Sequence, residues 1–244
     1  MEVKNIILFV IIVILLIIVI NYITKDVYTL TGLISGKTMQ TMQSIDLAPS
    51  STSGNTSNFT YSIWFFIDNW NYRYGEPKII FGRMASGTGE RQPCPSVALD
   101  PILNNIIVSL AVYPGLDKLP DNGANFVIHT CGISNIPIQK WCNFFISVYG
   151  RTLDLYLDGK LVRTCVLPGV ANIDPSAPVY VTPSGGFSGW TSRFQYWPDA
   201  SNPQKAWDVY KGGYGGSLLG SLFGKYSIKV SVMDGDIITN SLQI

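Results

Sequence analysis

The stretch Trp141 to Leu167, WCNFFISVYGRTLDLYLDGKLVRTCVL, constrains this chain more than any other. It spells a three-stranded antiparallel meander with both turns legible. Asp158-Gly159 is a two-residue type I′ turn signal, and Gly150-Arg151 suits a II′ turn with Gly at the first central position. Those turns set a register. Val148, Ile146 and Phe144 fall opposite Leu153, Leu155 and Leu157, and Leu155 falls opposite Val162. One face is then continuously apolar, and on the other Asp154 meets Arg163 as an opposite-charge pair. A one-residue slip would turn the leucines out to water, so the register is strongly specified.

Further segments extend the pattern. The central Trp, apolar strand, short turn and L-x-L-Y-L-D-G-K resemble the signature of laminin-G-like (concanavalin A-like) jelly rolls. FTYSIWFFI, Phe59 to Ile67, is similar to that family's early strand, where alternating aromatics fill a sandwich core. GGFSGWTSRFQYW and NPQKAWDVYKGG, Gly185 to Gly213, resemble its late Gly-rich strand and short helix. The run IPIQKWCNFFISVYGRTLDLYLDGKLVRTCVLPGV is most similar to laminin-G-like virion proteins of large nucleocytoplasmic DNA viruses, the chlorella-virus and giant-virus type. That resemblance implies a viral structural protein and a minor capsid component.

The residues by themselves argue for an all-β sandwich. Strands are expected at Lys78 to Arg83, Ser96 to Leu99, Ile106 to Tyr113, Phe126 to Cys131, Val179 to Thr182 and Phe187 to Tyr196, with a breaker-dense loop at Pro114 to Asn125. One helix is well marked: Asn202 as N-cap, Pro203 at the first helical position, Gly212 after the last turn, and Ala206, Val209 and Tyr210 facing inward. A terminal hairpin is expected around Asp234-Gly235.

At the N-terminus, Ile6 to Ile20 is an unbroken apolar run. Extended to Ile23 it makes a helix of about 27 Å, enough for a ~30 Å hydrocarbon core. No A-x-A-like cleavage site follows, which favours a retained anchor over a cleaved signal peptide. The expected organisation is a transmembrane helix at 1–23, a polar tether at 24–58, the jelly roll at 59–213, and a Gly-rich connector with C-terminal hairpin at 214–244. In the connector Leu218, Leu219, Leu222 and Phe223 stand out as candidate partner contacts. Asn55 and Asn58 head glycosylation sequons that matter only in a secretory lumen.

The charge balance, 17 basic against 16 acidic residues with no basic stripe, argues against nucleic acid as a ligand. Four cysteines are present and none forms C-x-x-C. The meander register keeps Cys142 and Cys165 apart. Free buried thiols are the plain reading, and a Cys94–Cys131 disulfide is the alternative.

The chemistry of known relatives of the fold does not transfer. Glucanases of this fold carry an E-x-D-x-x-E strand, and this chain has only Glu2, Glu76 and Glu90. Asp68, Asp154 and Asp158 sit where turns and cross-strand pairs explain them. His129 and Cys131 share a strand face but stand apart along it. Calcium, which some laminin-G-like domains bind, would call on Asp117, Asp121 and Asn122 in one loop, or Asp68 and Asn69 in another. A glycan site would use Trp70, Tyr72 and Tyr74 in DNWNYRYGEP. The expectation is therefore a non-enzymatic protein with no catalytic residues and no required cofactor. It would be anchored in the internal virion membrane, with capsid proteins, including the major capsid protein, and the lipid bilayer as partners. The alternative is a membrane-anchored lectin-like protein that binds glycans.

Overall fold

A computed structural model describes residues 11–16, 18–19, 28–47, 57–84, 92–115, 125–215, 229–234 and 237–243. The chain divides into two compact units. Val27–Lys211 is a two-layer β-sandwich; Met1–Asp26 and Gly212–Ile244 make up the other.

Among its described residues the sandwich has thirteen strands. They are β1 (Thr29–Thr31), β2 (Ile34–Ser35), β3 (Gln40–Met42), β4 (Phe59–Asn69), β5 (Lys78–Met84), β6 (Pro93–Leu99) and β7 (Ile106–Val112). After them come β8 (Val127–Ile133), β9 (Trp141–Tyr149), β10 (Thr152–Leu157), β11 (Lys160–Val166), β12 (Val179–Val181) and β13 (Ser188–Trp197). One sheet runs β1-β13-β4-β9-β10-β11, with β2 also on β13; the other runs β3-β12-β5-β6-β7-β8. The core lies between them. Alternate residues of β4 (Phe59, Tyr61, Ile63, Phe65, Ile67) and of β9 (Cys142, Phe144, Ile146, Val148) point into it, as period-two patterning requires. They meet Phe81, Val97, Val108 and Leu110 from the facing sheet.

The α-helix among the described residues of this unit, α1 (Pro203–Lys211), starts as its sequence dictates: Asn202 Oδ1 accepts the Lys205 N–H at 2.9 Å. It lies on the outer face of the first sheet, where Phe145, Tyr156 and Trp197 pack with Ala206 and Val209 into a second, smaller core. Burying each of those aromatic rings is worth roughly 1.5–3 kcal/mol.

The meander forms with both expected turns. Asp158 and Gly159 are both at positive φ, and Gly150 is the positive-φ residue of the other turn. The β9–β10 register agrees residue for residue. The β10–β11 register does not. Leu155 pairs with Arg163 and Asp154 with Thr164, because a bulge between Leu155 and Tyr156 takes up Val162 as an extra residue. Without the bulge, Thr164 would face the core beside Leu153. With it, Cys165 does, and there it bonds to Cys131 of β8, Cα to Cα 6.4 Å. Arg163, two residues away on the same side, donates to the Gly132 carbonyl at 2.7 Å. The adjacent edges of the two sheets are thus stapled twice. Cys94 does not pair with Cys131 as the alternative reading had it; Cys94 and Cys142 are free and buried.

A second correction concerns the tether. Residues 29–42, within the expected polar tether at 24–58, form β1, β2 and β3, which add to β13 and β12. Met42 of β3 is buried in the core and Leu30 of β1 packs against it, so these short strands bring apolar side chains as well as backbone bonds. Leu47 also reaches the core.

In the other unit, residues 11–16 and 18–19 are helical and their apolar side chains are exposed. Among the described residues no helix is long and apolar enough to cross a membrane; the rest of the expected 1–23 span lies outside them. The terminal hairpin is present as β14 (Lys229–Asp234) and β15 (Ile237–Gln243). The connector residues Leu218, Leu219, Leu222 and Phe223 lie outside the described residues, as do Asp117, Asp121 and Asn122.

Candidate functional site: the loop end of the sandwich

Five connections gather at one end of the sandwich: 36–39, 70–77, 100–105, 134–140 and 182–187. They are tied into one surface. Gly75 N–H donates to Pro101 O (3.0 Å), Ile136 N–H to Asn104 O (2.7 Å), and Gln139 N–H to Ile67 O (2.8 Å). The Trp70 indole N–H donates to Ile102 O at 3.2 Å. The Tyr72 hydroxyl donates to Gly185 O at 3.1 Å, with the Lys37 ammonium 4.7 Å from its ring centroid. Arg73 bonds the carbonyls of Ser184 and Gly186 and pairs with Glu76 at 2.7 Å.

This end also carries backbone strain. Arg73, Thr182 and Ser184 are all non-glycine residues at positive φ (51°, 49° and 56°), each at a cost of about 1–3 kcal/mol. The bonds from Tyr72 and Arg73 to 184–186 hold that conformation in place. Lys78 is buried beneath the same loops, its ammonium 4.7 Å over the Trp70 ring. Burial, reinforced by the nearby Arg73 charge, pulls its pKa below the usual lysine value.

Of the three residues read as a glycan site, Trp70 and Tyr72 are engaged in this internal bracing. Tyr74 is 58% exposed. Around it the loop tips present aliphatic side chains: Ile102 and Leu103 are each 58% exposed and Ile138 47%. Ile102 and Leu103 do not flop. Asp100 Oδ1 accepts both of their N–H groups, at 2.9 and 2.8 Å, and these bonds hold its carboxyl below the usual carboxylate range. Ile102 and Leu103 were not singled out in the sequence, although D-P-I-L-N-N, an apolar pair inside a turn, is the signal that marks them.

The other candidate groups are placed as follows. Asp154 accepts from the Thr164 hydroxyl at 2.6 Å. Asp158 pairs with Lys140 at 3.2 Å and accepts the Asn143 N–H at 2.9 Å. Asn69 Oδ1 accepts the Asn71 N–H. Cys131 is committed to its disulfide, so it forms no pair with His129. Among the described residues no group of three or more His, Cys, Asp or Glu side chains could hold a metal ion. The surface is braced by these hydrogen bonds and apolar at its tips.

No family model matches the chain, and no curated protein matches it. Solved structures do. The binding domain of botulinum neurotoxin serotype D aligns with TM-score 0.51 at 11% identity, over 80% of this chain and 52% of that one. Similar structures include the receptor binding domain of botulinum neurotoxin D (TM-score 0.49, 12% identity, 74% and 47% covered). Another is the serotype D ligand binding domain in complex with N-acetylneuraminic acid (0.48, 13%, 77% and 49%). The chain spans about half the length of the structures it matches. At such identity the likeness shows the fold alone, an all-β sandwich of the jelly-roll kind.

Proposed function

We propose that this chain is a non-enzymatic structural protein of a large DNA virus particle, a membrane-anchored minor capsid component that joins the shell to the internal membrane through protein contacts of its sandwich. The observation that carries the reading is the polarity of the sandwich. The chain enters it at Tyr28, whose carbonyl accepts the Tyr196 N–H at 3.0 Å and whose ring packs 5.7 Å from Trp197. Trp197 pairs with Thr60, at the start of β4. The braced loops stand at the other end of β4, roughly 33 Å away at ~3.3 Å per residue. A sandwich that the chain enters at one end and that carries braced apolar tips at the other supports a bridging role. Exposed aliphatic tips on a stiff frame suit a protein partner, because little ordering entropy is lost on docking. The bilayer contact belongs to the apolar run from Ile6 to Ile20.

The test is association with particles. The full chain should be found in purified virions and co-purify with shell proteins after detergent removes the membrane. The paired change Ile102→Ser with Leu103→Ser should weaken that association roughly tenfold or more, the loss typical of central apolar anchors, while leaving thermal stability nearly unchanged. Absence of the chain from purified particles would sink the proposal.

A further inference from the structure

A row of aromatic rings crosses the outer face of the first sheet. Because the odd-numbered residues of β4 fill the core, its even-numbered ones face outward: Thr60, Ser62, Trp64 and Phe66. Helix α1 covers Trp64, whose ring stacks on Tyr210 at 5.8 Å. Phe66 lies one row further toward the loops. It pairs with Trp190 on β13 and with Trp141 on β9, and its ring centroid is 5.8 Å from that of Trp141. Ser35 of β2 pairs with Trp190 and completes the row. Four strands at ~4.8 Å spacing make it about 14 Å wide. Trp190 is 47% exposed, while Phe66 and Trp141 are half-buried.

We infer that this row is a stacking platform for a neutral oligosaccharide, a binding site separate from the Trp70–Tyr74 loop and additional to the protein contacts proposed above. A single exposed ring needs no explanation, but rings brought into register on three neighbouring strands do. Such rings match the flat C–H faces of pyranose units, and two-χ aromatic side chains lose little entropy on contact. Hydroxyl groups require polar partners at the rim, and these are present. Asp68, exposed, stands two residues beyond Phe66 on the same face, and the Lys140–Asp158 pair flanks Trp141, with the Lys140 side chain 61% exposed. The three charges sum to −1, which disfavours a phosphate-bearing ligand against a neutral one.

The test uses the full chain in detergent against a panel of neutral hexose and N-acetylhexosamine oligosaccharides, cellohexaose and chitohexaose among them, followed by tryptophan fluorescence and calorimetry. The expected result is saturable binding to at least one member, weakened at least about tenfold by Trp190→Ala and by Phe66→Ala, and unchanged by Tyr74→Ala. Trp190 is exposed enough that its replacement leaves the fold intact, which a melting curve checks. No binding across the panel, binding that survives Trp190→Ala, or binding lost on Tyr74→Ala overturns the assignment. Particle association is read separately, so loss of the platform leaves the bridging proposal standing.

Discussion

Two thiols, Cys94 and Cys142, are left free inside the sandwich. Burial pushes each up to about 12, far from the range in which a thiolate forms at neutral pH. Both should therefore resist alkylation by iodoacetamide in the native protein and react fully in denaturant, as peptide mass spectrometry would report. Asp100 acts at the same scale. Its pKa is lowered by the N–H groups of Ile102 and Leu103, so its contribution is fully present above the ordinary aspartate value. It is lost as pH falls through the depressed folded value. The protection of the Ile102 and Leu103 amides, taken against the intrinsic exchange rate at the same pH, should hold at neutral pH and be lost only in acid, whereas Asp100→Ala should lack it at neutral pH as well. Unprotected amides in the wild type at pH 7 would refute the cap.

Among the elements, the β10–β11 hairpin shows how a turn serves two masters. Asp158-Gly159 is legible as a type I′ turn from the residues alone. The structure adds a steric reason for the glycine: a Cβ at Gly159, where φ is +73°, would lie 2.9 Å from both Trp207 Cε3 and Tyr210 Cβ of α1. Gly159→Ala should cost roughly 1–3 kcal/mol, from the strained φ and from pushing the helix off the sheet. A denaturation midpoint equal to wild type would show that the helix sits there loosely. The bulge that follows was not legible. It brings Cys165 to Cys131, a residue on another strand of the other sheet, and local pattern carries no trace of that partner.

For the molecule as a whole, the pairing of Cys131 with Cys165 joins two sheets whose facing edges would otherwise be held by packing and one Arg163 bond. The loop it closes has a sequence separation of 34 residues, for which chain-entropy arguments give roughly 3–4 kcal/mol. Cys131→Ser, or reduction under native conditions, should lower the melting temperature accordingly, while leaving β9–β10 pairing intact by circular dichroism. The candidate surfaces also belong to this scale. The loop end draws on five separated segments, and the aromatic row on four strands, two of them, β2 and β13, about 150 residues apart in the chain.

The residues themselves determined the strands from Phe59 to Trp197, the turns of the meander, the helix with its Asn202 cap and the sandwich class. Each of these follows from side-chain period and backbone preference within a dozen neighbours. Tertiary structure decided which cysteines met, which polar segment near the N-terminus joined the sheets, and which aromatic rings faced water. Those outcomes depend on what lies across the sheet or on the opposite layer, and a one-dimensional pattern fixes which face a residue takes but not what it finds there.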